Sequence, residues 1–445
     1  MRYHVVRHDT APSEASVHRE TIMVFNENGR KEAGLKVLIV NTVYKYTSTG
    51  QITYWFAQEL RKRGHECLAA VGGGRDVGEG CVVIENKYES YCHYLLSLWT
   101  GYEGRYSPIA THKLLKLIDE FQPDVVQLFN LHGYYLNIYQ LFRFLKKRRI
   151  RTVYTMLDEY PYLGHCCYAY ECDGFKKECR ECRLDKKRYI KTFLFRRGHA
   201  THRLKKQAYE DFPKLCFAAP KWVCERAKTS SLLRDKKLYE VDEFIDVHAT
   251  YCIRETGEVR KRLGISPEKI VLLNVAVYTD PRKGGALYLQ AAKNLTAKDR
   301  YVFIHVGYNG SKEDLPENYI PIAYVADQNE LADYFNLADR FICTSMADTM
   351  PNTCLEALAC GTPVCGFDIT GVPYVADYNC GTFIEAGNVE RLTAEIGKTE
   401  KKTADVQRYC REYALKRYSV ETFCDKMLEI YEGDQDAVTD HRFCI

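Results

Sequence analysis

No run in these 445 residues approaches the roughly 18 consecutive apolar side chains that a membrane-crossing helix needs. The amino-terminal stretch MRYHVVRHDTAPSE lacks the apolar core of a secretory leader. Charge of one sign is scarce as well. Sixty-three Lys and Arg against 59 Asp and Glu leave a net charge of +4, too mild to imply a nucleic-acid partner. Tandem repeats and low-complexity tracts are missing. These absences point to a globular protein of the cytoplasm, and the length suits two domains better than one.

Cysteine, by contrast, is plentiful, with 19 residues. Cys343, Cys354, Cys360 and Cys365 sit in apolar patterns and read as reduced core thiols. Secreted disulfide scaffolds are small and loop-rich, so a reducing compartment is expected here. Cys166, Cys172, Cys179 and Cys182 fall within GHCCYAYECDGFKKECRECR, with Cys167 and His165 alongside. Three readings fit that segment: a closed structural zinc site, a disulfide or redox pair, or unligated thiols. Four thiolates would close the coordination shell, so such a metal would brace an irregular loop and take no part in catalysis.

Regular patterning begins at Leu35. LKVLIVNT, CLAAVGGG, VVQLFN and TVYTM read as strands of one half, with Ile52, Trp55, Phe56 and Leu60 on one face of an intervening helix. VLLNVAVY, YVFIHVGY, RFICTS and PVCGFD read as strands of a second half. Alternating strands and helices predict two doubly wound, Rossmann-like α/β domains facing across a cleft, with ligands beyond the carboxyl ends of the strands. The expected divisions are an unordered extension over 1–34, a first domain over 35–245 with a cysteine-rich insertion near 164–206, and a second domain over 246–403. A helix over 404–432 would return to the first domain, and 433–445 would form a tail.

The most informative segment is Asp348 to Gly366, DTMPNTCLEALACGTPVCG. Its one charged residue after Asp348 is Glu356, set in an apolar helical run that Pro351 suits as a first position and Gly361 and Pro363 suit as a stop. Burying a carboxylate without a partner costs several kcal/mol or shifts its pKa. Two readings fit Glu356: an exposed acid on an amphipathic helix, or a buried acceptor of hydrogen bonds from a diol. Amide groups near Asn352 and Thr353 at the helix start would suit phosphate. Phosphate beside a diol suggests a nucleotide sugar.

These residues resemble glycosyltransferase family 4, whose fold is called GT-B, and within it the branch that makes colanic-acid-like and capsular polysaccharides. The signature is an acidic residue, seven others, Glu, then Ala-x-Ala-x-Gly-x-Pro-Val, spanning Asp348 to Val364 here. NTVYKYTSTGQI and NLHGYYLNI carry the narrower likeness. The resemblance implies a hexosyltransferase-type enzyme that retains configuration, with a nucleotide-diphosphate sugar as donor, a saccharide or lipid-linked saccharide as acceptor, and no catalytic metal. It implies Glu356 on the donor ribose, Asp348 at the donor sugar, Lys283 with Arg282 on the diphosphate, and Gly50 where backbone approaches ligand. Arg282 and Lys283 could equally form a solvated turn. Two departures stand out. The family's His-Asp after TVYTM is Leu157-Asp158, leaving His132 or His165 to substitute on the acceptor side, and its Asn-Gly-Ile-Asp is Glu243-Phe244-Ile245-Asp246.

Basic and apolar residues mix over Lys186 to Lys206 and over Phe142 to Arg149. Such a face suits the anionic inner surface of a membrane, or is an ordinary surface helix with solvated charges. Rival functions are a catalytically impaired sugar-nucleotide-binding or scaffolding protein, supported by Leu157, a zinc-dependent nucleic-acid binder, disfavoured by the low net charge, and a sugar-nucleotide epimerase on the same fold.

Overall fold

A computed structural model describes residues 34–74, 77–182, 190–296 and 298–433. The expectations for residues 1–33, for the basic residues between 183 and 189, and for 434–445 lie outside the described residues.

The first half of the chain builds a seven-stranded sheet from β1 (Lys36–Val43), β2 (Glu66–Gly73), β3 (Cys81–Val83), β4 (Val125–Leu128), β5 (Arg151–Thr155), β6 (Leu215–Ala219) and β7 (Leu238–Glu240). The second half builds six strands: β8 (Ile270–Val275), β9 (Tyr301–Val306), β10 (Tyr319–Ile322), β11 (Arg340–Cys343), β12 (Val364–Asp368) and β13 (Gly381–Glu385). The orders are β3-β2-β1-β4-β5-β6-β7 and β10-β9-β8-β11-β12-β13, and every pairing is parallel. Both sheets are doubly wound, so each buries two faces and its strands are near-continuous Val, Ile and Leu. The order reverses between β1 and β4 and between β8 and β11, which opens a crevice at the carboxyl edge of each sheet.

The expected single carboxyl-terminal helix is two, Ala404–Tyr418 and Val420–Glu432. Ser419 breaks it: its backbone is extended and its side chain caps the second helix by accepting from the Thr422 amide. Cys410, Ala414 and Tyr418 of the first helix join the core of the second lobe. Phe423, Cys424, Met427, Ile430 and Tyr431 of the second join the core behind β1, where Phe423 meets Phe56 at 5.0 Å. Tyr431 donates to Gln127 Oε1 at 2.8 Å. The chain therefore crosses between lobes twice, and the crossings touch. The Ile245 amide donates to the Tyr418 carbonyl at 3.1 Å, and Arg417 pairs with Asp242 at 2.6 Å. Asp246 shapes the turn that follows by accepting from the amides of His248, Ala249 and Thr250.

Candidate active site

Between the lobes lie two adjoining cavities, of about 760 and 500 Å³. Tyr324, Gln328, Asn352 and Glu356 line both. The smaller is also lined by Leu157 and Asp158 at the end of β5 and by Arg282, Lys283, Asp348 and Thr353 of the second lobe. Contacts across the floor join the lobes: Thr349 Oγ1 donates to the Leu157 carbonyl at 3.0 Å, and the Glu243 amide donates to Met350 Sδ at 3.3 Å. The leucine in place of the family histidine thus packs in the first-lobe core and offers its backbone to the cleft.

Glu356 stands on the helix Asn352–Ala359, which Pro351 precedes as cap residue, not as first helical residue. It is 9% exposed, and its Oε2 has no hydrogen-bond partner among the described residues. Burial pushes its carboxyl up to about 7, against the opposing pull of the Tyr251 hydroxyl and the Lys283 charge. Two more buried atoms on the same cavity are unpartnered, Asn352 Oδ1 and Glu243 Oε1. Burial, reinforced by Asp348 and Asp158, raises the Glu243 carboxyl well above the usual carboxylate range. Buried polar atoms almost always find partners, so three lacking them among the described residues around one cavity mark a place for a polar ligand.

Lys283 Nζ lies 2.5 Å from Asp348 Oδ2, and Arg282 Nη1 lies 3.6 Å from the same oxygen. Arg282 also donates to the Ala347 carbonyl at 3.1 Å and stacks on Tyr168, 4.9 Å from the ring centre. Both cations sit in a turn, but their side chains are half-buried and held on Asp348 instead of being solvated. Asn352 and Thr353, the first helical residues, border the same space. Sequence reasoning missed Tyr168, Tyr251, Gln328 and the cavity contact of Trp55. Trp55 packs against the first-lobe core as its helical spacing predicts, and its partly buried ring also lines the 760 Å³ cavity.

Gly50 is helical and buried, and a side chain there would press on backbone atoms of Tyr44 and Lys45, so packing of its own loop already requires its smallness, while its neighbours Ser48, Thr49 and Gln51 line the cavities. Among the acceptor-side candidates, Asp158 alone lines the interlobe cavity. His132 stands behind it, with Nε2 at 2.6 Å from Asp158 Oδ2, and Asp158 Oδ1 accepts from the Tyr160 amide at 2.9 Å. Burial opposes a charge on His132, but Asp158 outweighs it and the imidazole titrates above its ordinary value. His165 meets the Ile190 carbonyl at 3.2 Å, and burial lowers it to about 4.

A third cavity, of about 390 Å³, is lined by Cys166, Cys167, Cys172, Cys179, Cys182 and His165, and it shares Asn130, Asp158, Tyr168 and Arg282 with the cleft. Every cysteine among the described residues is free. Sulfurs round one zinc stand about 3.8 Å apart, from bonds of about 2.3 Å. Among the described residues, the group of His, Cys, Asp and Glu whose donor atoms gather within 4.8 Å is instead His132, Asp158 and Cys167. The four expected thiols share a cavity without forming a tetrahedral cage. Other groups brace the loop. Glu159 accepts from Arg226 Nε and the Ala169 amide, each at 2.8 Å, and Lys205 donates to the carbonyls of Tyr160 and Leu163.

One family model fits each lobe. Residues 50–202 match the model described as Glycosyltransferase Family 4, and residues 255–417 match Glycosyl transferases group 1. The chain belongs to the families that these two models describe, group 1 in its second lobe and Family 4 in its first. It is 24% identical over 250 residues to the putative colanic acid biosynthesis glycosyl transferase WcaC of Escherichia coli, covering 54% of this chain and 59% of that protein. It is 24% identical over 199 residues to alpha-maltose-1-phosphate synthase of Mycobacterium tuberculosis, covering 40% and 51%. The chain thus spans between half and three fifths of the length of these curated relatives. Among solved structures, a glycosyltransferase from Rickettsia africae superposes with a TM-score of 0.62 at 15% identity, over 90% of this chain and 98% of that one. Anabaena HepE in complex with UDP-glucose gives 0.59 at 14%, over 89% and 99%. These likenesses establish the fold as GT-B.

Proposed function

We propose that this protein is a retaining, hexosyltransferase-type enzyme that moves a sugar from a nucleotide-diphosphate donor to a saccharide hydroxyl in surface polysaccharide assembly. The observation that carries the reading is Glu356, a buried acid with an unpartnered oxygen on a wall shared by two interlobe cavities, with Lys283 and Arg282 alongside. A ribose diol supplies two hydroxyl donors to such a carboxylate. Lys283, Arg282 and the amides of Asn352 and Thr353 receive the diphosphate, by point charge, planar fork and helix start respectively. Diphosphate draws Lys283 from Asp348, and Asp348 then turns to the hydroxyls of the donor sugar.

In the transfer step the bond from the anomeric carbon to phosphate breaks and a bond to the acceptor oxygen forms on the same face. The acceptor proton goes to the departing phosphate oxygen, whose growing charge Lys283 and Arg282 stabilise. No step calls on a metal. Asp158, steadied by His132, orients the acceptor. Closure of the lobes excludes water that would hydrolyse the donor. HepE has been solved with UDP-glucose, and the starch synthase IV catalytic domain, of similar fold, with ADP and acarbose, which supports a nucleotide-sugar donor. The acceptor we assign is lipid-linked, with the enzyme at the inner face of the cell membrane. Leu157 favours one second reading, a protein that binds donor without turnover.

Thermal shift with UDP-, GDP- and ADP-sugars tests the reading, followed by a transfer assay with the sugar that stabilises. A donor should raise the melting point of the parent and leave that of Glu356→Ala unchanged. Equal stabilisation of both proteins would overturn the assignment, and binding without transfer or slow hydrolysis would favour the second reading.

A further inference from the structure

The helix Lys87–Thr100 is built inside out. Its buried side chains are His93, Ser97 and Leu98, whereas Tyr88, Tyr91, Leu95, Leu96 and Trp99 stand exposed, Tyr88 at 87% and Trp99 at 57%. Those five recur at helical spacing along one face, the arrangement that ordinarily turns toward a core. Its orientation is locked from within. His93 Nδ1 lies 2.7 Å from Ser107 Oγ, and its Nε2 accepts from the Gly104 amide at 3.2 Å. Asn86 caps the helix by accepting from the amides of Tyr88 and Glu89.

A second apolar segment extends this face. Phe193, Leu194 and Phe195 are each about half exposed or more. The Phe193 amide donates to the Leu98 carbonyl at 2.8 Å, and the Phe193 ring meets Trp99 edge-on at 6.0 Å. Cations border the patch: Arg197 lies over Phe195 at 4.7 Å, Arg105 lies over Tyr102 at 5.1 Å, and Lys191 and Arg196 flank the phenylalanines in sequence. The helix's acid does not oppose them, because the Glu89 carboxylate accepts from the amides of Ile109 and Ala110. Aromatic and aliphatic side chains fringed by Arg and Lys match a headgroup boundary, where rings sit at the interface and cations meet phosphate.

We propose that the face made by Lys87–Thr100 and Phe193–Phe195 seats on the anionic surface of a lipid bilayer, with Trp99, Phe193 and Phe195 entering the headgroup layer. This deepens the membrane contact proposed above and rests on it. It also places that contact away from Phe142 and Leu145, which are core residues. Arg196 joins the patch to the catalytic side, since it lines the cysteine cavity that shares Asp158 and Arg282 with the cleft. An acceptor anchored in the bilayer therefore faces the side of the cleft that Asp158 borders.

The full chain is mixed with vesicles of phosphatidylglycerol and phosphatidylethanolamine, or of phosphatidylcholine, and the bound fraction is read by flotation. Binding is expected to the anionic vesicles and to weaken with salt. The Trp99→Ser, Phe193→Ser, Phe195→Ser triple variant should bind about ten-fold more weakly or worse while keeping its melting point, since all three side chains are exposed. Equal binding by parent and variant, or no binding by a parent that still takes up a nucleotide sugar, would overturn the proposal. So would parent self-association that the triple variant abolishes without any vesicle binding, which would make this face an interface between copies. Donor uptake is measured separately by thermal shift. Vesicle binding that depends on the patch stands even if no sugar nucleotide binds.

Discussion

Lys283 and Asp348 are held in contact, Nζ to Oδ2 at 2.5 Å, by two loops on either side of the second lobe's switch point. The pair places a cation on the same cavity as Asn352 and Thr353 and keeps it paired until an anion arrives. Lys283→Ala should lower kcat/KM by about two to three orders of magnitude, the usual cost of losing one donor to transition-state charge. Asp348→Asn should leave donor binding nearer to that of the parent and depress kcat. Initial rates over a range of donor concentrations separate the two effects.

The Glu356 carboxyl, raised to about 7 by burial, gives a pH signature. The diol donates to the ionised form, so donor affinity should increase from about pH 6 to about pH 8, and Glu356→Gln should abolish that slope. Stability runs the other way. The folded protein holds this proton where the unfolded chain has released it, so the group's contribution falls as pH rises from the ordinary carboxylate range to about 7. Above that, Glu356→Gln should make the ligand-free protein more stable by up to about 3 kcal/mol, read by denaturant titration.

Chelation should leave the melting point of the purified protein unchanged, because the cysteine loop is braced by Glu159, Arg226 and Lys205. Arg226→Met, by contrast, strands the buried Glu159 carboxylate, at a cost of about 3–5 kcal/mol. Calorimetry on the two samples decides between bracing by ions and bracing by metal. A large chelator-induced fall in the parent would reject the structural assignment.

The carboxyl-terminal helix should be essential to the first lobe although it is encoded after the second. Phe423 is 3% exposed and packs on Phe56 and Phe244. Phe423→Ala should cost about 3–5 kcal/mol and expose the β1 core. Protease digestion should then cut the first lobe sooner than the second, and the reverse order would contradict this packing.

Much of the architecture is legible in the chain, because strands buried on both faces appear as unbroken apolar runs such as VLIV and IVLL. Glu356 is legible for a related reason, as a lone charge in an apolar helix. Other features leave no such mark. The stripe of Tyr88, Tyr91, Leu95 and Trp99 has the period of a core-facing helix, and periodicity cannot say which side is wet. Trp55 is assigned to the core by the same rule and packs there, but nothing in the spacing shows that its ring also borders the cleft. The break at Ser419 is hidden because capping serines also occur within helices, and Ala404 to Glu432 has no Gly or Pro to interrupt it. The pairing of Lys283 with Asp348 spans two segments far apart in sequence, beyond what spacing can reveal.

The bond from Ile245 to Tyr418 and the ion pair of Arg417 with Asp242 lash the outgoing and returning chain together. A single connecting strand would let the halves swivel about it like a pendulum on a thread. Two plies side by side favour a nodding motion over a twist, so the halves can gape for substrate and return to the same alignment at each turnover.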